Sequence, residues 1–194
     1  MAPTGCLGWS VRDLVFHCLG DAQRGLVALH LPTVRAPDRD ATTYWQDWTP
    51  DDPGAADGRR FPRVAASLFL HVEQLRESYL ETAAAVLHVA DDTNADERVA
   101  TQGHVPTAGA LMCTLAVEAT IHHLDAVESL AEAPQPSADG LTQVRRSLDG
   151  LLGHPVQVDW GDGHYARAAA GRVSLSDTER EQLGVDAARF PLFG

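Results

Sequence analysis

Glu118 and His122 stand four residues apart in the segment Val117-Glu118-Ala119-Thr120-Ile121-His122-His123-Leu124-Asp125. On a helix, such a pair lies one above the other, ~6 Å apart along the axis, with both side chains projecting the same way. A carboxylate and an imidazole so placed can share one divalent metal ion. Asp125, three residues further on, falls on the same face. At ~100° per residue, Leu111, Leu115, Glu118, His122 and Asp125 form one stripe of a helix predicted from about Thr107 to about Leu130. The other side carries Val117, Leu124 and Val127, so this helix is apolar nearly all round, as a centrally packed helix is. Polar groups on its inward stripe need partners, because burying an unpaired carboxylate is costly. A buried His–Glu pair with a packing role meets the same spacing. So does a helix end where the three side chains reach water, and spacing alone leaves all three readings open.

Other elements must position this stripe. Ser10 followed by Asp13 predicts a capped helix start, with a helix from Val11 to about Leu29 whose apolar face holds Leu14, Val15, Cys18, Ala22 and Leu26. His17 falls off that face, with Asp13, Asp21 and Arg24 as same-side neighbours; on spacing alone it belongs to a solvated polar face. Residues 31–63, rich in Pro, Asp and Thr, form a long connection with an aromatic cluster from Tyr44 to Trp48 that anchors it to the core. A connection of this length is functional or partly helical. A second long helix is predicted from about Val64 to Val89, with Val64, Leu68, His71, Leu75, Tyr79 and Ala83 on one stripe and His71 as a partnered core histidine in preference to a site residue. An acidic turn (91–97), an extended piece ending at His104 and a helix from Ser137 to Leu152 complete the body. In the tail, two strands on either side of a tight Gly161-Asp162-Gly163 turn are expected. A last short helix is capped by Ser176 and Glu179 and stops at Gly184. His30, His88, His154 and His164 read as surface or loop residues.

At 194 residues with 44% hydrophobic content, one domain with a genuine core is expected. The net charge of −12 argues against a nucleic-acid or anionic-membrane partner. No apolar run approaches the ~18 residues of a spanning helix, and the amino terminus lacks the pattern of a signal peptide. The three cysteines, Cys6, Cys18 and Cys113, have no CxxC spacing, which suits a reducing cytoplasm and argues against a disulfide framework or a thiolate zinc site. No GxGxxG, P-loop, GxSxG or HExxH motif occurs.

Gly8-Trp9-Ser10-Val11-Arg12-Asp13-Leu14-Val15-x-His17 resembles the opening signature of the metal-binding domain of mycothiol-dependent maleylpyruvate isomerase-like proteins, members of the DinB-like superfamily. Glu118-x-x-x-His122, continuing to Asp125, resembles the E-x-x-x-H-x-x-D segment that supplies that family's other ligands. The tail from Gly171 to Leu192 is similar to that of other members. The resemblance implies a mainly α fold, a bundle of about four long helices with a divalent metal near one end, over residues 1–152. The small hairpin and short helix of residues 153–194 would pack on it. It implies His17, Glu118 and His122 as metal ligands, overturning the solvated reading of His17. Zinc is the first expectation, in an open site suited to Lewis-acid chemistry. It further implies a low-molecular-weight thiol, mycothiol or a similar one, as cosubstrate of an isomerase or transferase acting on a small molecule. No protein cysteine is then needed.

Asp125 and Asp13 are candidates to orient a ligating imidazole through its other nitrogen, although for Asp13 a capping role is preferred. His104 is a candidate to reach substrate, or a loop histidine without a role. The family carries a further helix before the Gly-Trp segment, where seven residues stand here; a missing bundle helix would expose a core face and favour a homodimer. The competing readings are a non-catalytic small-ligand-binding bundle, with the His/Glu cluster structural, and an acidic module dimerising through that cluster.

Overall fold

The computed structural model describes residues 4–47, 55–130 and 132–193. Trp48, Pro50 and Pro53 of the long connection lie outside the described residues. Helix α1 (Val11–Leu29) begins as its sequence predicts. The Asp13 carboxylate accepts from the Ser10 backbone N–H and from its hydroxyl, both at 2.8 Å, which ties the chain to the first turn.

Two helices, α2 (Ala55–Ala66) and α3 (Val72–Asp92), replace the single helix expected from about Val64 to Val89. Val64 and Leu68, which open the predicted stripe, are 56% and 80% exposed, so no core wall faces them. The chain turns between the helices, and Phe69 packs against Phe16 of α1 at 6.3 Å between ring centroids. Arg12 donates from Nη2 to the Phe69 carbonyl at 2.7 Å, giving that freed acceptor a partner. His71 is not the partnered core histidine of the sequence reading: it is exposed and occupies the N-cap position of α3 without a side-chain capping bond.

Helix α4 (Ala108–Val127) is capped by Thr107, whose hydroxyl accepts from the Ala110 N–H at 3.1 Å. Helix α5 (Ala138–Leu152) is capped by Ser137. α4 is central, with α1 on one side and α5 and α6 (Asp162–Ala169) on the other. Val117, Ile121 and Leu124 pack with Val144 and Leu148 of α5, while Leu111 packs with Ala28, Leu29 and Val86. α1, α3, α4 and α5 are the four long helices of the bundle. Tyr44 and Trp45, in a 3₁₀ turn over Thr43–Asp47, are buried, and Trp45 stacks on Phe193 at 4.7 Å, so these aromatics anchor the connection.

The expected hairpin is absent: there is no strand among the described residues, and α6 occupies its second half. Gly161 is the cap of this helix rather than a hairpin turn. The run Tyr165-Ala166-Arg167-Ala168-Ala169 combines strong helix formers with a face that buries Tyr165, Ala166 and Ala169 against α5. The Tyr165 hydroxyl donates to Asp149 at 2.9 Å. Helix α7 (Asp177–Leu183) has the predicted Ser176/Glu179 capping box and ends at Gly184. Leu148 is fully buried where α4, α5 and α6 meet. Leu148→Ala should therefore cost ~2–5 kcal/mol, read as a lower urea midpoint at unchanged slope. None of the described helices is long and apolar enough to cross a membrane.

Candidate metal centre

Helix α1 presents His17 and Asp21 one turn apart, and α4 presents Glu118 and His122 one turn apart. These two helices pack directly against each other. Gly25 lies at their contact, where an added Cβ would stand 2.6 Å from the tip of the Leu115 side chain of α4. The four side chains converge. His17 Nε2 is 3.2 Å from Asp21 Oδ2 and 3.9 Å from Glu118 Oε2, and His122 Nε2 is 3.1 Å from Glu118 Oε2. The two imidazoles meet edge to face at 4.7 Å. One ligand-type atom from each residue lies within 4.8 Å of all the others.

The donor set fits a divalent ion. Nitrogen and oxygen ligands at ~2.0–2.2 Å from one tetrahedral centre stand ~3.3–3.6 Å from one another, and these separations straddle that value. Asp21 Oδ2 is buried and makes no hydrogen bond, although His17 Nε2 is only 3.2 Å away. Two such atoms facing each other without hydrogen-bond alignment are placed as ligands of a common ion are. The other Asp21 oxygen pairs with Arg24 Nη1 at 3.0 Å. Burial, reinforced by the neighbouring Glu118 carboxylate, pushes the Asp21 carboxyl up to about 6. Glu118 moves the other way: burial alone would raise it, but hydrogen bonds from His122 and His17 hold it well below the usual range.

The far side of His122 is equally organised. Its Nδ1 lies 3.0 Å from Asp125 Oδ2, an arrangement that leaves Nε2 facing the cluster and fixes the tautomer. Asp125 is 1% exposed and accepts from Arg172 Nε and Nη2 at 3.2 and 3.3 Å and from the Cys6 thiol at 3.0 Å. Burial opposes its ionisation, but His122 and Arg172 outweigh that and bring the carboxyl down to about 2. Cys6, His122 and Asp125 themselves form a ligand-type group. The Arg172 guanidinium, with Nη2 3.7 Å from Cys6 Sγ, already supplies the positive charge there, so this group supports His122 rather than offering a second ion site. Trp9 lies over both imidazoles, 5.1 Å from His17 and 6.4 Å from His122, and its indole donates to the Arg59 carbonyl at 2.8 Å. Burial raises the Cys18 thiol to about 12, which makes it inert at neutral pH.

The structure thus brings His17, Glu118 and His122 together and sets Asp125 behind His122. Asp13 serves the helix cap. His104 does not enter the cluster: it sits in the turn closed with Thr101, 3.6 Å from Asp38, and ~15 Å of α4 separates it from Glu118. Asp21 joins the cluster beyond the sequence-derived set; its signal is His17-x-x-x-Asp21, the mirror of Glu118-x-x-x-His122. Cys6, Arg172 and Trp9 reach the site through tertiary contacts that no local pattern announces.

The chain is a helical bundle with a His/carboxylate cluster between two of its long helices, and the family model it matches is a DinB-like one. Residues 1–127 match the family described as the mycothiol maleylpyruvate isomerase N-terminal domain, and the chain belongs to that family. The matched stretch runs through α4 and includes all four cluster residues. No curated protein and no solved structure matches the chain.

Proposed function

We propose that this chain binds one divalent metal ion through His17, Glu118 and His122, with Asp21 as a fourth donor that yields its position to an incoming ligand, and acts as an isomerase or transferase on a small molecule. Its cosubstrate is a low-molecular-weight thiol, mycothiol or a similar one. The observation that supports metal binding is the convergence of two imidazoles and two carboxylates from α1 and α4 on one point, with a buried Asp21 oxygen left without a hydrogen bond; the thiol and the reaction class rest on the family match. Two nitrogen and two oxygen donors suit zinc. When bound, the ion supplies Lewis acidity that makes a thiolate available at neutral pH. The chain's own residues hold and tune that ion. Asp125 keeps His122 in the tautomer with Nε2 towards the cluster, and Arg172 keeps Asp125 ionised. Trp9 packs beside both imidazoles. Asp21 is the weakest donor of the four, because Arg24 holds its other oxygen.

Metal uptake should depend on pH with a definite sign. Without an ion, burial opposes protonation of His122, but Asp125, Cys6 and Glu118 outweigh it and raise its affinity for protons well above the ordinary histidine value. Asp21 is likewise raised, to about 6. An entering ion must displace these protons, so zinc affinity should climb as pH rises from 5 to 8, by roughly tenfold per unit for each proton released. Calorimetry across that range in buffers of different ionisation enthalpy would count the protons; a flat profile would count against the cluster as the ligand set. The thiol part is tested separately. Adding mycothiol to Co²⁺-loaded protein should bring up a sulfur-to-cobalt charge-transfer band, and no band at saturating thiol would remove the thiol from the proposal.

A further inference from the structure

A cleft of 260 Å³ runs between α1, α3 and α4 and reaches the two carboxylates of the cluster, Asp21 and Glu118. Its walls include Ala83, Val86 and Leu87 from α3 and Met112, Leu115 and Ala119 from α4, with Tyr79 and Cys18 also in the lining. The only charged residues among its described lining are Asp21 and Glu118, and both belong to the cluster. Two carboxylates beside a divalent cation leave that end of the cleft close to neutral. Among the described residues no guanidinium lines the remainder. The arginine nearest the cluster, Arg24, is paired with Asp21 and lines a separate pocket with Gln23, Val27 and Thr101.

From this geometry we infer that the cleft is the substrate site, and that it takes a small molecule with an uncharged, mostly apolar body and a single metal-binding head. The inference rests on the metal-binding reading above. A substrate with a second carboxylate at its far end would have to bury that charge against Ala83, Val86 and Met112 with no cation to receive it, which is strongly unfavourable. An alkyl or aryl body gains from the same walls in proportion to the apolar area it covers. The volume lies just under the ~300–1,000 Å³ of pockets for drug-sized ligands, so the occupant is smaller than those. Exposed Leu87, at the rim, marks the mouth.

Two thiols with the same head and opposite tails test this on Co²⁺-loaded protein, read through the sulfur-to-cobalt band: 1-butanethiol and 3-mercaptopropionate. Butanethiol should bind at least tenfold more tightly. Ala83→Phe, which fills the cleft from α3 away from the cluster, should remove that advantage while Co²⁺ uptake stays as in the parent protein. Leu87→Arg, at an exposed position, should improve 3-mercaptopropionate selectively by supplying the missing cation. Protein that takes up Co²⁺ but shows no preference for butanethiol, or keeps that preference in Ala83→Phe, overturns the inference alone. Protein that takes up no Co²⁺ overturns the metal reading and this inference with it.

Discussion

Glu118→Gln should leave a folded helical bundle that no longer holds zinc with useful affinity. Glu118 Oε2 is the one atom of the cluster close to both imidazoles, 3.1 Å from His122 Nε2 and 3.9 Å from His17 Nε2. Removing its charge deprives the ion of one of two anionic donors and leaves Asp21, already partly committed to Arg24, as the other. Four-ligand zinc sites contribute ~10–16 kcal/mol of binding, so one ligand's share corresponds to a roughly hundredfold to thousandfold loss of affinity. Gln keeps the size and hydrogen-bonding capacity of Glu, so the far-ultraviolet circular dichroism of the variant should match that of the parent. The thermal midpoint of the parent should fall on chelation and recover on zinc addition, because a ligand that binds only the native state stabilises it by mass action. That of Glu118→Gln should respond to neither. A purely structural His–Glu pair makes the opposite prediction: parent and variant alike would ignore the chelator.

Asp125→Ala should be the most destabilising single change near the site. This carboxylate is 1% exposed and joins three parts of the chain: its own helix α4 through His122, the Cys6 segment and Arg172 after α6. Its removal leaves the Arg172 guanidinium, itself 17% exposed, without its acid partner. Breaking a buried pair in this way costs ~3–5 kcal/mol, or roughly 10 °C in the melting temperature of a chain this size. The sign with pH is fixed by the depressed carboxyl. Asp125 ionises at about 2 in the fold, below its ordinary range, so its contribution is complete above that ordinary range and is lost as pH falls towards about 2. Parent and Asp125→Ala urea midpoints should therefore differ most near neutrality and converge in acid. Zinc affinity should also drop, by ~10–100-fold, because His122 loses the group that orients it.

The part of the site carried by one helix was legible in the sequence. Glu118, His122 and Asp125 announce themselves because i, i+4 and i+7 fall on one face whatever surrounds it. His17 and Asp21 show the limit of that reasoning: a polar stripe facing a cluster and one facing water have the same pattern, and only the packing of α1 on α4 distinguishes them. Cys6 and Arg172 lie far along the chain from Asp125 and touch it only once the bundle has closed. The elements follow the same rule. Caps at Ser10, Thr107, Ser137 and Ser176 are local, and they mark the starts of α1, α4, α5 and α7 as expected.

The misread elements are those decided by burial. Alternation in Pro155–Trp160 followed by Gly161-Asp162-Gly163 looks like a hairpin, yet Tyr165, Ala166 and Ala169 reach the α5 face only as a helix. The helical spacing of Val64, Leu68 and His71 is real, but no wall faces it, and the chain turns there to bring Phe69 against Phe16.

Metal content per chain is the most direct test of the central claim. Protein purified without a histidine tag, dialysed against metal-free buffer and then given one equivalent of Zn²⁺ should retain one ion per chain by elemental analysis. Variants His17→Ala, Glu118→Gln and His122→Ala should retain none. A parent protein that carries no ion as purified and holds none after zinc addition would contradict the account and leave the cluster a structural polar network.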